Sequence, residues 1–153
     1  MHTAALLRDL AQLIPERDRL NPNVSRATVG WHLAHAFKVV FEVVKAIEQP
    51  KETSFRWTLN WSRMYVLTLA HIPRGSARSP KSVVPREDIS EEYLHQLLHE
   101  AEEALVRLEA LPKSAHWPHP YLGQMNQRMT RRFVYVHTRH HGKIVREVVG
   151  GGS

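Results

Sequence analysis

The chain has 153 residues, enough for one domain with a buried core, and its 42% apolar and 24% charged content is ordinary for a globular protein. It has no cysteine, which excludes disulfides, thiolate metal sites and thiol nucleophiles together, so any metal would rest on nitrogen and oxygen ligands. Charges interrupt every apolar run and the stretch Met1–Asp9 lacks a secretory apolar core, so no membrane association and a cytoplasmic address are expected, while a net charge of +6 raises nucleic acid as a partner.

Leu6, Leu7, Leu10, Leu13 and Ile14 recur at helical spacing, predicting a first helix over residues 3–14 that runs toward Pro15. Asn21-Pro22-Asn23 is turn chemistry, and Ser25 is the expected cap of a longer helix reaching about Gln49 and stopped by Pro50. In that helix Val29, Leu33, Ala36, Val40, Val43 and Ile47 form the seam of a bundle element. Residues 54–71 mix both periodicities in Phe55, Trp57, Leu59, Trp61, Met64, Tyr65, Leu67 and Leu69. Without a hairpin partner in view, a helix is expected there. Residues 72–87, with Pro73, Gly75, Pro80 and Pro85 among Arg74, Arg78, Lys81 and Arg86, read as a long basic crossover loop.

Asp88 or Ser90 starts the next helix, with Glu91 as capping-box partner, and Leu94, Leu97, Ala101, Ala104, Leu108 and Leu111 give its seam before Pro112. Residues 112–123 read as a loop carrying His116 and His119, and a last helix is expected from about Gln124 to Val149. The whole is an all-α protein with a single domain over 1–149 and a flexible tail at 150–153.

Eleven histidines are several-fold more than usual, and two of them stand where Leu belongs. On a wheel of the last helix, Phe133, His137, His141, Ile144 and Val148 share one stripe, opposite Arg132, Arg139, Lys143 and Arg146. A buried polar side chain costs about 1–3 kcal/mol unless satisfied. Two imidazoles one turn apart on a core stripe can offer their nitrogens to one shared cation. The competing reading is two core histidines bonded to neighbouring helices.

The second helix supplies further candidates in His32 and His35, of which the wheel favours His32 because it lies nearer the seam. His140 projects to the flank, as a supporting or pocket residue. His119 and His116 precede the last helix and could cover a site at its first turns. His95 and His99 read as a solvated face, and His2 and His71 are isolated.

Trp31-His32-Leu33-Ala34-His35, His119-Pro120-Tyr121-Leu122-Gly123 and His137-Thr138-Arg139-His140-His141, in that order, resemble the DinB-like (YfiT-like) superfamily, in an uncharacterised bacterial branch. The resemblance implies a four-helix bundle of up-down-down-up type whose long crossover contains an extra helix, with three histidines facing inward on a divalent metal. It maps the ligands onto His35, His137 and His141, choosing His35 against the wheel, and leaves His32, His140 and His119 to support the ligands or line the pocket. Relatives often carry Gln three residues after the final ligand, where this chain has Ile144.

Three imidazoles leave a coordination position open, as catalytic sites do. Nickel, zinc, manganese and ferrous iron all suit nitrogen ligands. The resemblance implies a metal-dependent transferase or hydrolase, with low-molecular-weight thiols as one cosubstrate class, an unknown small-molecule substrate and a homodimeric assembly. The alternative is a non-catalytic basic nucleic-acid-binding helical module, resting on the charge balance, the 72–87 loop and the last helix's arginines.

Overall fold

The computed structural model describes residues 3–49, 54–75 and 80–151. Among the described residues, five α-helices and one two-stranded hairpin follow one another: α1 (Thr3–Ala11), α2 (Val29–Glu48), α3 (Trp61–Leu69), α4 (Glu91–Ala110), β1 (His116–His119), β2 (Gly123–Asn126) and α5 (Gln127–Gly150). The fold is therefore mostly helical, as expected, with a small hairpin in place of the expected 112–123 loop.

Each long helix starts on a side-chain acceptor. Thr28 accepts the N–H of Trp31 at 3.2 Å and caps α2, three residues later than the Ser25 cap expected from sequence. Ser90 takes the N–H of Tyr93 at 3.1 Å to open α4, and Asn126 takes that of Met129 at 3.0 Å to open α5. Helix α1 ends at Ala11, and a 3-10 turn over Ile14–Glu16 carries Ile14 into the core beyond it.

Helix α2 is the central element. It packs along both α4 and α5, while α1 lies against α4 and α5 and α3 rests on α5. One contiguous core runs through all of them, with Leu10, Leu33, Phe37, Val44, Leu94, Leu108, Met125 and Val134 almost wholly buried. Gly142 lets α1 approach α5 closely, since a Cβ there would stand 3.0 Å from Leu10 Cδ2.

The expected helix over 54–71 is confined to Trp61–Leu69, capped by Asn60, and its buried residue is Arg63. That guanidinium donates to the carbonyl oxygens of Gln124 (2.7 Å), Leu122 (3.4 Å) and Thr58, tying α3 to the hairpin. In the hairpin Trp117 pairs with Met125 and His119 with Gly123, whose φ of 67° suits the absence of a Cβ. The 72–75 and 80–87 parts of the basic segment are largely irregular, broken by a 3-10 turn at Lys81–Val83 that packs on α2. Arg78 lies outside the described residues. Among the described residues no helix is long and apolar enough to cross a membrane.

Candidate metal centre

The side-by-side packing of α2 and α5 sets the first two turns of α2 against the middle of α5. His32 and His35 face His137 and His141 across this seam. His35, His137 and His141 come together, with one potential ligand atom from each lying within 4.8 Å of the others. Their ring centroids are 4.7 Å (His35–His141), 5.2 Å (His35–His137) and 4.7 Å (His137–His141) apart.

The remaining ring nitrogens are mostly spoken for. His35 Nδ1 donates to the Val83 carbonyl at 2.9 Å, which puts its proton on Nδ1 and leaves Nε2 as a lone pair. Trp31 stacks on the same ring at 4.9 Å and 15°, fixing its plane. His141 Nδ1 lies 2.9 Å from His32 Nδ1, so its Nε2 too faces away from that bond. His137 Nδ1 is shut from solvent and has no hydrogen-bond partner. Left uncompensated, such an atom costs about 1–3 kcal/mol, which is the order of destabilisation a coordinated cation would remove.

His32 is buried, but its two nitrogens are committed to His141 and to Ser25 Oγ, the latter at 2.8 Å. The wheel ranked it above His35 because it lies nearer the apolar seam, but a projection ignores position along the axis. In the folded chain His35 joins the cluster, and His32 stands behind His141. His119, on β1, accepts the backbone N–H groups of Tyr121 (3.1 Å) and Leu122 (3.2 Å) at Nδ1, and its ring meets Phe133 at 4.9 Å. His140 sits edge-on to His141 at 5.1 Å. His116 is buried in the hairpin with Nδ1 on the Ser114 carbonyl (3.0 Å) rather than in the cluster. His99 is 73% exposed beside Glu103, in keeping with a solvated face, and His2 lies outside the described residues.

Burial and mutual proximity keep these imidazoles neutral. Burial pushes His137 and His141 well below the ordinary 6.5, and neighbouring histidines add to it. Burial first brings His32 and His140 to about 4, helped by neighbouring histidines and Arg74, and burial alone does so for His119. His35 is lowered by burial against the opposing pull of the Val83 bond. Neutral imidazole is the form that binds a metal.

The cluster opens on a cavity of about 1240 Å³, larger than the roughly 300–1,000 Å³ of common ligand pockets. Trp31, Val39, Tyr65, Phe133 and Ile144 are among its apolar walls, and His119 and His140 line it near the cluster. Ile144, three residues after His141, adds apolar surface to this wall. Among the described residues, Glu42 and Arg74 are the charged ones that line it, and Arg74 is held by Glu147 at 2.7 Å.

Sequence reading missed two participants, Ser25 and the Val83 carbonyl. Ser25 looked like a helix cap, and a backbone oxygen carries no side-chain signal. Of the cations read as a nucleic-acid face, Arg131 pairs with Glu109 at 2.7 Å and Arg146 with Asp9, so part of that charge is already matched. Comparison with family models, curated proteins and solved structures finds no match for this chain.

Proposed function

We propose that His35, His137 and His141 hold a divalent metal ion, and that the chain is a metal-dependent transferase or hydrolase acting on a bulky, largely apolar small molecule. The observation that carries the reading is the convergence of three neutral imidazoles, two with their Nδ1 atoms already bonded elsewhere and one with a buried Nδ1 left unpartnered. Nickel, zinc, manganese and ferrous iron fit this donor set equally. Such an ion supplies Lewis acidity at a coordination position the three side chains leave open.

The chain's own residues supply the rest. Trp31 and the Val83 carbonyl hold His35 in one orientation, while His32 does the same for His141. The apolar walls exclude water from the body of a ligand, and the hairpin places His119 against the cavity near α5. The reading keeps the DinB-like resemblance of the three motifs, with thiol-dependent transfer as the first chemistry to assay and a homodimer as the expected assembly.

Metal content measured by elemental mass spectrometry on untagged protein tests the proposal. Wild type is expected to hold close to one equivalent after reconstitution. His35→Ala and the His137→Ala/His141→Ala pair should lose it, while His95→Ala/His99→Ala keeps it. Wild type that takes up none of the four metals contradicts the proposal, and the enzyme reading falls with it.

A further inference from the structure

Ser25, His32 and His141 form a continuous line of hydrogen bonds. Ser25 Oγ lies 2.8 Å from His32 Nε2, and His32 Nδ1 lies 2.9 Å from His141 Nδ1. A neutral imidazole carries one N–H and one lone pair, so the contact between the two Nδ1 atoms needs one ring to donate and the other to accept. The line therefore has two complete arrangements, and choosing the proton position at one end dictates it at the other.

In the first arrangement His141 carries its proton on Nδ1 and donates to His32. His32 then carries its own on Nε2 and donates to Ser25. The Nε2 lone pair of His141 is free in this state. In the second arrangement Ser25 donates to His32 Nε2, His32 donates from Nδ1 to His141, and His141 must carry its proton on Nε2, where it cannot ligate.

We infer that His32 is a positioning residue for the metal centre: it accepts the Nδ1 proton of His141 and so supports the tautomer that offers Nε2, and metal loading in turn frees the Ser25 hydroxyl hydrogen for an acceptor group on the cavity ligand. The last step follows from the Ser25 oxygen. It already accepts the N–H of Ala27 at 3.1 Å, and in the first arrangement it accepts from His32 as well. With both lone pairs engaged, its own hydrogen must be given elsewhere, and Ser25 lines the cavity. The ligand class this favours is an apolar molecule carrying a carbonyl, carboxylate or similar acceptor.

The inference rests on the metal reading, but part of its test does not need a metal. Long-range proton–nitrogen correlation spectra of the metal-free chain should show complementary tautomers, with one of His32 and His141 protonated at Nδ1 and the other at Nε2. Zinc loading should give His141 as Nδ1–H and His32 as Nε2–H. His32→Leu, which fills the space without an acceptor, should weaken zinc binding by about 10–100-fold. His32→Asn can present Oδ1 near the position of Nδ1 and should recover most of that loss.

Ser25→Ala should keep the His32–His141 bond and zinc affinity, yet weaken binding of an acceptor-bearing probe such as decanoate to the zinc-loaded protein, with decylamine as the control. Zinc bound as tightly by His32→Leu as by wild type overturns the positioning role and leaves the metal centre standing. Decanoate binding unchanged in Ser25→Ala overturns the hydroxyl's role. Failure of wild type to take up zinc overturns the metal reading instead, and is distinguishable because the metal-free tautomers are read separately.

Discussion

At the scale of single residues, His137 is the most informative. Its ring shares a helical face with Phe133, His141, Ile144 and Val148, and its Nδ1 has no partner. Replacing it with Leu removes an unsatisfied buried atom, so the metal-free chain should gain up to about 1–3 kcal/mol in urea unfolding. The same variant should lose any stabilisation by added metal. A His137→Leu chain less stable than wild type without metal would show that this nitrogen is satisfied in solution.

The depressed histidines also set a pH dependence for the metal-free chain. Unfolded histidines take up protons below the ordinary 6.5, whereas the folded rings of His32, His119 and His140 resist until about 4. The unfolded state therefore binds more protons across that window, and stability falls as pH is lowered from about 6.5 toward about 4, having been full above it. Urea midpoints at pH 8, 6 and 4.5 should decline in that order. A flat profile would mean that the rings are not shielded from protonation.

At the scale of elements, Arg63 is the joint between α3 and the hairpin. The residue is 3% exposed, and its guanidinium meets backbone carbonyls. Arg63→Met should cost on the order of 1.5–3 kcal/mol, since charged hydrogen bonds are lost and carbonyls are left bare. It should also loosen a wall of the cavity. Differential scanning calorimetry and hydrogen exchange at Leu122–Gln124 would detect both, and an unchanged melting temperature would contradict the clamp.

The α2, α4 and α5 helices were legible because their apolar residues keep a three-and-four spacing over long runs. The hairpin was not. His116, Trp117 and Pro118 show no period-2 pattern, and what buries Met125 is tertiary, together with the Trp117 indole donating to Thr130 at 3.1 Å. Helix α3 was half-legible for a related reason. Trp57, Leu59, Trp61 and Leu69 are more than half exposed, so the apolar pattern there does not mark a core face. The pairing of His137 and His141 could be read from spacing alone. The choice between His32 and His35 depended on where two helices converge, which no single-helix projection contains.

At the scale of the whole molecule, the chain places a polar cluster at one side of a large apolar cavity, walled by α2, α3, α5 and the hairpin. Ligand binding to the folded state alone stabilises it by mass action, about 2.7 kcal/mol at a hundredfold excess over Kd. A metal bound at His35, His137 and His141 should therefore raise the melting temperature in wild type and not in His35→Ala. X-ray absorption at the metal edge of zinc-reconstituted protein tests the central claim most directly. The account predicts three imidazole nitrogens at about 2.0–2.1 Å in wild type, and the loss of that zinc signal in His35→Ala. A coordination shell without imidazole scattering, or one that His35→Ala leaves unchanged, would contradict it.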